Sequence, residues 1–451
     1  MAAIDITGAG GGITNVTGTS PVVVTVVGVT GRNVSLDQSQ FNTINGNSIF
    51  GTGNIVIATG LTNWTEAFNS GTQATSSFTA TNAATNVNAA IIPKGTGAIV
   101  ADVPDGAATG GNARGVYAVD LQVNRISANQ VASQSSSFIG SGQNNRNDSN
   151  FSFIGSGATN TITNNGQIIQ ADYIGGGQSN NINSSNGKNV ICGGSTNTID
   201  SFSQNSFIGG GLSNYIGGGI DYSTITGGQS NTNNANRSVI NGGQTNTTSA
   251  IFAVVNGGNN NTSSGQYSSI LGGQNGTASA QYSAILGGLR GNAYLYGQKA
   301  HANGRFSIDG DAQGSECILR LESGFTDAQT KEIYLDGSSL RITGPTNSAM
   351  TVNIDIVAIV TAISGTATGV TVGDMFSQNE ICAYKNIGGT GTVVGSYSIH
   401  NLHDASMSGC DTAFATTGAA LQVFFNGPNF SGGGTVTLRI VAKARIVETR
   451  Y

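Results

Sequence analysis

Acidic side chains are the first candidates for chemistry in this sequence, because hydrolysis of a glycosidic bond needs two carboxyl groups about 5 to 9.5 Å apart. Between residues 131 and 300 the acids are Asp148, Asp172, Asp200 and Asp221. Nearer the C-terminus, the candidates among the acids are Glu316, Glu322, Asp374, Glu380, Asp404 and Asp411. Neither set shows a pairing motif, so the sequence predicts no catalytic residues and a protein that is not an enzyme.

Residues that could bind a metal ion are few. His400 and His403 lie close in sequence, and Asp309-Gly310-Asp311 resembles a fragment of a calcium loop that lacks the other ligands. The cysteines are Cys192, Cys317, Cys382 and Cys410. None of them has the CxxC spacing of a zinc site. We therefore expect free thiols, ordinary loop histidines, no metal and no cofactor.

The composition predicts an ordered, all-β chain. Charged residues make up 9% of the sequence, where a soluble globular domain carries roughly 25%. Glycine accounts for 68 of the 451 residues, and Asn, Ser and Thr are abundant. These residue types disfavour helices, whereas the Val, Ile and Thr of the apolar segments suit pleated sheets.

Two classes of function conflict with the charge and hydropathy of the chain. Lys and Arg total 18 and the pI is near 5.1, so nothing in the sequence would neutralise the phosphates of a nucleic acid. No apolar stretch reaches the length of a membrane-spanning helix, so membrane insertion is not expected. Met1–Asp5 also lacks the basic and apolar regions of a secretory signal.

A motif of about fifteen residues recurs through the middle of the chain, as in Phe207-Ile-Gly-Gly-Gly-Leu-Ser-Asn214. Each copy has an aliphatic anchor, a glycine pair and, in most copies, an asparagine. The anchors are Ile139, Ile154, Ile174, Ile191, Ile208, Ile225, Ile240, Val255, Ile270 and Ile285. An aromatic residue precedes five of them, at Phe151, Tyr222, Phe252, Tyr267 and Tyr282. A repeat of this length predicts stacked coils whose backbone groups pair with the coils above and below.

Each position that recurs in the repeat suggests a structural role. The anchors should point inward as one ladder, and stacked asparagines should bond to each other along the axis. The glycine pair should supply a tight turn with positive φ. The sequence therefore predicts a parallel β-roll, or solenoid, of about ten coils.

One anchor per coil would leave a thin core, too small to offset the conformational entropy lost by fifteen residues. A closed three-fold assembly would bury the second face of each coil and cover the sheet edges. We therefore expect a homotrimer. A monomeric β-helix is the alternative.

The C-terminal part of the chain changes to long strands with alternating side chains. One predicted buried face runs from Met350 to Ala362, and a second runs from Val436 to Ile446. Such alternation is typical of half-buried antiparallel strands. Several of these strands, separated by Gly, Ser and Asn turns, predict a C-terminal antiparallel β-sandwich.

These patterns resemble two groups of surface proteins. The repeats resemble the left-handed β-roll heads of trimeric autotransporter adhesins, and the best match is Ala293-Tyr-Leu-Tyr-Gly-Gln-Lys-Ala-His-Ala-Asn-Gly304. The signal sequence, coiled-coil stalk and membrane anchor of that family are not expected here. The segments Thr43–Ile57, Ile92–Gly97 and Gly310–Gln313 resemble parts of bacteriophage tail fibres and related structural proteins.

The second resemblance implies a homotrimeric bacteriophage tail fibre, a virion component assembled in the host cytoplasm. Residues 1–60 would attach to other virion proteins, 61–130 would form a β connector, and 131–311 the β-roll. Residues 312–451 would form a trimerisation and receptor-binding tip for a host surface glycan or outer-membrane receptor. The candidate receptor-binding residues are Tyr384, Tyr397, His400, His403, Phe425 and Phe430. The alternatives are a tailspike-type depolymerase of host polysaccharide and a structural or head fibre without receptor binding.

Overall fold

The computed structural model describes residues 91–164, 171–184 and 187–451, and two strands before them. The chain divides into two compact units, Met1–Ile92 and Pro93–Tyr451. In the first unit, β1 (Trp64–Asn69) and β2 (Thr75–Ala80) pair in antiparallel fashion. The predicted attachment segment, residues 1–60, lies outside the described residues.

The second unit begins with a parallel β-solenoid, and the whole described chain is all-β apart from one short 3-10 turn, Ala405–Met407. The solenoid has about 12 turns. Its strands are β3 (Ile99–Val100), β4 (Val119–Asp120), β5 (Phe138–Ile139), β6 (Arg146–Asp148), β7 (Phe153–Ile154), β8 (Thr161–Asn164), β9 (Tyr173–Ile174), β10 (Asn181–Ser184), β11 (Val190–Ile191), β12 (Thr198–Ile199), β13 (Phe207–Ile208), β14 (Tyr215–Ile216), β15 (Thr224–Ile225), β16 (Thr232–Asn233), β17 (Val239–Ile240), β18 (Thr247–Thr248), β19 (Val254–Val255), β20 (Thr262–Ser263), β21 (Ser269–Ile270), β22 (Thr277–Ala278), β23 (Ala284–Leu289), β24 (Asn292–Ala293) and β25 (Lys299–Asn303). The predicted all-β solenoid is confirmed, although it begins upstream of residue 131.

The solenoid strands form two parallel sheets. Strands β3 and β4 and the odd-numbered strands β5 to β25 make the first sheet, and the even-numbered strands β6 to β24 make the second. The ten predicted anchors lie on the first sheet, each in register with the next, as Ile225 is with Ile240. Every one of them is buried. They form one continuous column inside the solenoid.

A second interior column was not predicted. It lies on the second sheet and consists of Asn147, Ile162, Ile182, Ile199, Ile216, Asn233, Thr248, Ser263, Ala278 and Ala293, all buried. The premise of one inward residue per coil is therefore wrong. Because each coil buries two side chains, the solenoid core gives no reason by itself to expect a trimer. Support for a trimer must come from elsewhere in the molecule.

The asparagines of the repeat form a buried ladder along the solenoid axis. At Asn214, the backbone N–H and the side-chain Nδ2 both donate to Asn197 Oδ1, at 3.0 and 3.2 Å. The same Nδ2 also donates to the carbonyl oxygens of Gly210 and Gly228. Asn214 Oδ1 accepts from the N–H and Nδ2 of Asn231. Because each amide is satisfied by neighbouring coils, these polar groups can be buried without the cost of a missing hydrogen bond.

Gly211 shows why the turn after the anchor requires glycine. Its φ is +93°, in a region that side chains with a Cβ rarely adopt. A Cβ there would lie 2.1 Å from the carbonyl oxygen of Gly228 on the next coil. The predicted turn is therefore fixed by close stacking as well as by φ.

A buried ion-pair network closes the N-terminal end of the solenoid. Asp120 follows Val119 on β4 and precedes Ile139 in the first-sheet register. Its carboxylate contacts Arg114 Nε at 2.8 Å and Arg125 Nη2 at 3.3 Å. All three side chains are almost completely buried. Removing one partner would leave buried charge uncompensated, which is strongly destabilising.

The C-terminal domain continues directly from the last solenoid strand. Its strands are β26 (Ala312–Phe325), β27 (Thr330–Ile333), β28 (Ile342–Thr343), β29 (Ser348–Gly365), β30 (Met375–Ile387), β31 (Thr390–His403), β32 (Asp411–Thr417), β33 (Ala420–Asn426) and β34 (Gly434–Arg450). Strand β25 pairs antiparallel with β26, and the sheet then runs β26-β34-β29-β30-β31. In a smaller sheet, β33 pairs with β27, β28 and β32. One buried apolar cluster includes residues from both sheets.

The alternation predicted for two C-terminal strands matches the buried faces of β29 and β34, with one exception. Side chains at alternate positions from Met350 to Val360 and from Val436 to Ile446 are buried. Ala362 is exposed, because the register shifts between Val360 and Ala362. An inserted residue of this kind moves the following side chains to the other face.

The four cysteines are free thiols, as predicted. Cys192 is exposed and the other three are buried. Burial, and next the charge of a neighbouring acid, raise the pKa of Cys317, Cys382 and Cys410 to about 12. These three thiols are therefore structural and unreactive at neutral pH.

Candidate functional site

The six candidate receptor-binding residues fall into two groups. Tyr384, Phe425 and Phe430 are buried, and the Tyr384 hydroxyl donates to the Ala419 carbonyl oxygen at 2.5 Å. They pack in the domain core and offer no surface to a receptor, because alternation points Tyr384 and Phe425 inward on their strands and Phe430 is buried in the loop after β33. Tyr397, His400 and His403 are exposed on β31. The prediction of receptor contact is therefore retained for these three residues alone.

A cavity of about 580 Å³ lies where the last solenoid turns meet the C-terminal domain. The solenoid contributes residues 280–281 and 292–296, and the C-terminal domain contributes segments near β28 and the end of β34. The lining residues that matter most chemically are Asn292, Tyr294, Tyr296, Arg341 and Arg450. Leu295, Leu335 and Leu340 add apolar surface. Pockets of this size and mixed character are typical of small-ligand sites.

A buried polar network forms one wall of this cavity. Glu448 is 2% exposed and accepts a hydrogen bond from the Tyr294 hydroxyl at 2.5 Å. Its other carboxylate oxygen contacts Arg450 Nε, also at 2.5 Å. The Arg450 guanidinium lies over the Tyr294 ring, 5.2 Å from its centroid. The network fixes both the ring and the guanidinium in place.

Two polar atoms of cavity-lining residues have no hydrogen-bond partner in the part of the chain that the structure describes. Arg450 Nη2 and Asn292 Oδ1 are buried and make no hydrogen bond among the described residues. The Arg450 side chain is only 9% exposed. A buried polar atom without a partner costs about 1–3 kcal/mol. Both residues line the cavity, but these two atoms lie beneath its surface, so a ligand with hydroxyl or carboxylate groups would pair with them after rotation of the side chains.

A second arginine, Arg341, also lines the cavity. Arg341 makes two hydrogen bonds to Glu332, at 2.6 and 2.9 Å, and lies over the ring of Tyr334. Tyr296 completes the lining and packs edge-on against Tyr282, with centroids 5.3 Å apart. The cavity therefore combines aromatic rings with fixed cationic donors.

The phenol at the cavity is a proton donor at every relevant pH. Burial, and next the negative charge of Glu448, raise the pKa of Tyr294 far above its ordinary value. Its hydroxyl proton is held by Glu448, so the ring rather than the oxygen faces a ligand. Rings with polar neighbours suit the apolar faces and hydroxyl rims of sugars.

A separate pair of carboxylates lies in the C-terminal domain. Glu380 on β30 is 6% exposed, and its Oε2 makes no hydrogen bond among the described residues. Asp411, at the start of β32, accepts from Gln378 Nε2 at 2.8 Å. Burial, and next the charge of Asp411, raise the pKa of Glu380, while a hydrogen bond from Ser396 lowers it. A carboxylic acid of raised pKa beside a second carboxylate is the arrangement used in acid–base chemistry.

The raised pKa of Glu380 predicts a pH-dependent stability. Glu380 binds its proton more tightly in the folded state than in the unfolded state. The stabilisation that protonated Glu380 provides is therefore full below about pH 4.5 and is lost as the pH rises through the folded-state pKa. Glu380→Gln should therefore raise Tm near pH 7.5 by about 2 to 4 °C. The variant and parent should converge near pH 4.

Thermal melts at both pH values check this expectation. Glu322→Gln is the matched control, since the Glu322 side chain is 55% exposed. An equal Tm gain at pH 4 and pH 7.5 would show that ionisation of Glu380 does not limit stability.

The sequence analysis missed the cavity residues. The stretch from Ala293 to Gly304 was interpreted only as a solenoid coil, and Tyr294 and Tyr296 within it were not singled out. Their side-by-side placement in one coil was an available signal. No sequence signal marked Arg341, Glu448 and Arg450, because these residues come together only when strands distant in sequence pair.

The predicted metal candidates do not converge. In the described part of the chain, no three His, Cys, Asp or Glu side chains are grouped to hold an ion. Asp311 accepts hydrogen bonds from the N–H groups of Phe306, Ser307 and Ile308, so it organises a turn. A bilayer-spanning helix, one both long and apolar enough, is likewise not found among the described residues.

Comparisons with known proteins give structural neighbours but no family. No protein-family model matches the sequence, and no curated protein matches it significantly. The tailspike of Acinetobacter baumannii phage AM24 aligns with 73% of this chain and 67% of its own, at 8% identity and a TM-score of 0.21. The tailspike of Acinetobacter baumannii phage Fri1, described as a capsular polysaccharide depolymerase, aligns with 74% and 69%, at 9% identity and 0.18. The tailspike of Acinetobacter phage vB_ApiP_P1 aligns with 78% and 80%, at 10% identity and 0.18.

One expectation from the sequence is corrected by this comparison. The sequence predicted a protein that is not an enzyme, and the Fri1 neighbour is described as a depolymerase. The expectation of a non-enzyme is therefore withdrawn.

Proposed function

We propose that this chain is a bacteriophage tail protein, of the fibre or spike class, that binds a host surface polysaccharide in the cavity between solenoid and C-terminal domain. The observation that carries the proposal is the cavity lining, in which Arg450 and Asn292 lie beside Tyr294 and Tyr296. Together they provide a donor, an acceptor and ring surface for one sugar unit.

The cationic character of the cavity favours an acidic sugar. The guanidinium groups of Arg341 and Arg450 each keep one carboxylate partner on the protein side. Arg450 Nη2 has no acceptor among the described residues. A planar guanidinium recognises a carboxylate with directional hydrogen bonds, which neutral hydroxyls match less well. A uronic or similar acidic residue is therefore the substrate class that fits best.

The solenoid serves this function as a stiff spacer. About 12 turns, at roughly 4.8 Å per strand spacing, give a rod of about 58 Å. The cavity lies at the C-terminal end of that rod. We infer that residues 1–60, whose segment Thr43–Ile57 resembles phage tail fibres, attach to the particle, and that the cavity serves contact with the host.

We also infer that the protein acts as a homotrimer whose C-terminal domain forms a β-sandwich tip. Support comes from β31, for which β30 is the only paired strand among the described residues. Residues 394–403 are exposed, and they include Val394, Ile399 and Leu402. An open, apolar edge strand invites pairing with another chain. Avidity from three equivalent cavities would strengthen attachment to a repetitive surface.

A second candidate function is cleavage of the bound polysaccharide. The specific observation is the carboxylate pair Glu380 and Asp411, with the pKa of Glu380 raised by burial. Glycoside hydrolysis requires two carboxyl groups, one that donates a proton and one that acts as base or nucleophile. This function is distinct from binding in the cavity, and the two can be separated by variants.

Filling the cavity tests the main proposal. Thr343 is exposed on β28 at the cavity rim, so Thr343→Trp should occupy the cavity without disturbing the core. On an array of neutral and acidic bacterial oligosaccharides, the parent protein should bind acidic members and the variant should bind them at least about tenfold more weakly. Thr351→Trp, exposed elsewhere on β29, is the matched control.

Two results would contradict the cavity as the binding site. Failure of the parent protein to bind any oligosaccharide, or equal binding by Thr343→Trp, would overturn the cavity as the binding site. Chain shortening in longer incubations that Glu380→Gln abolishes would establish the second function.

A further inference from the structure

A column of stacked side chains follows one exposed corner of the solenoid. Its members are Tyr222, Arg237, Phe252, Tyr267, Tyr282 and Tyr296. The Phe252, Tyr267 and Tyr282 rings stack in parallel, with centroids 5.0 and 5.1 Å apart. Arg237 lies between the Tyr222 and Phe252 rings, 5.9 and 5.6 Å from their centroids. Five successive turns thus present an aromatic or guanidinium group at the same corner, from Tyr222 to Tyr282.

The backbone holds these five residues in one conformation. Each has φ between +56° and +61°. Non-glycine residues rarely adopt this region, and doing so carries a conformational cost. The repeated conformation points every side chain outward from the corner and keeps the column straight.

The column ends at the cavity described above. Tyr282 packs edge-on against Tyr296, with centroids 5.3 Å apart. Tyr296 is itself part of the cavity lining, and so is Gln281, the neighbour of Tyr282. The exposed corner and the cavity are therefore one continuous surface.

The column is built for polar contact as well as apolar contact. Tyr222, Tyr267 and Tyr282 are 56%, 42% and 48% exposed. In the described structure their phenol groups make no hydrogen bond, so three hydroxyls remain available to a ligand. Ring edges and hydroxyls repeated about every 5 Å suit an extended chain of sugar units.

Arg237 decides which partner fits this surface. Its guanidinium is exposed and has no ion pair among the described residues. Packing of a second copy of the chain over the column would bury that charge, which costs several kcal/mol unless the copy places an acid beside it. An acidic polymer would instead place an anionic group beside it.

We infer that this corner is a binding track for a single acidic polysaccharide chain, which runs along the column from Tyr222 and places one sugar unit in the cavity. The inference rests on the proposed function and extends it from one sugar unit to several. The track spans five solenoid turns, so affinity must depend on the length of the polysaccharide.

The test uses polygalacturonate, hyaluronate and polysialic acid in short and long size fractions, with dextran as a neutral polymer. Titration calorimetry of the full chain measures the affinity for each. For at least one acidic polymer, the long fraction should bind about tenfold or more tightly than the short one. Tyr267→Ala and Arg237→Gln should each remove most of that gain and leave the short fraction unaffected.

A matched control lies in a different aromatic column. Tyr173 is 39% exposed and stacks on Phe153 at 5.1 Å, away from the cavity. Tyr173→Ala should therefore leave all affinities unchanged.

Four outcomes would overturn the track. Binding of short fractions without a gain from length would leave the cavity site intact and remove the track. A gain that the column variants do not reduce would place the polymer elsewhere. Loss of assembly in Tyr267→Ala, seen by sedimentation, would make the column an interface between copies. If no fraction of any polymer binds, the track and the proposed function fall together.

Discussion

Replacing Asn214 with aspartate is expected to prevent the solenoid from folding at neutral pH, or to lower its Tm by roughly 10 °C or more. The substitution keeps the shape of the side chain and changes two N–H donors into an acceptor. The Nδ2 of Asn214 donates to Asn197 Oδ1 and to the carbonyl oxygens of Gly210 and Gly228. An aspartate oxygen in the same place would face three acceptors and carry a buried charge.

Circular dichroism melts at several pH values measure this effect. The defect should shrink at acidic pH, where protonation restores one donor and removes the charge. Asn260→Asp is the matched control, because Asn260 belongs to an exposed asparagine pair on the same solenoid. A Tm for Asn214→Asp within 2 °C of the parent, an interval of about 1 kcal/mol or less, would show that the buried ladder does not hold the coils together.

Ile240→Asp is expected to have an effect of similar size. Ile240 is fully buried in the first-sheet column and lies in register between Ile225 and Val255. An aspartate there loses apolar burial and leaves a charge without a partner, which costs several kcal/mol. Expression of folded protein and its Tm give the measurement, and we expect aggregation or a loss of roughly 10 °C.

The neighbouring residue provides the control for this substitution. Val239 precedes Ile240 on β17 and points to the other face of the sheet, where it is only partly buried. Val239→Asp should cost much less. Equal damage from the two substitutions would contradict the assigned register, since a one-residue shift exchanges inside for outside.

The first column of the solenoid could be predicted because a single residue type marks it. Isoleucine or valine recurs with a glycine pair at a fixed offset, and the asparagine follows at another. Each of these positions admits one residue type. Gly211 needs a positive φ beside a carbonyl oxygen, and Asn214 needs side-chain N–H donors together with an acceptor. Strong local constraints leave strong sequence signals.

The second column could not be predicted because its residue types change along the axis. It passes from Asn147 through four isoleucines to Asn233, Thr248 and Ser263. Two-residue strands are too short to show alternation. Polar members such as Asn233 are satisfied by backbone groups of their own coil, including the Ser238 carbonyl oxygen, so hydropathy does not mark them as buried.

The candidate site was beyond sequence analysis for a different reason. Tyr294 and Glu448 are 154 positions apart in the chain and are joined by a hydrogen bond. They meet because β25 pairs with β26, and β26 pairs with β34. Strand order of this kind depends on the whole domain, whereas the alternation of β29 and β34 depends only on local burial.

A crystal structure of the protein with its best-binding acidic oligosaccharide tests the central claim most directly. The account predicts electron density for a sugar unit in the cavity, with an acidic group within hydrogen-bond distance of Arg450 Nη2 and a hydroxyl donating to Asn292 Oδ1. The sugar should lie against Tyr296. Density for the oligosaccharide at another surface, with the cavity unoccupied, would contradict the proposed site.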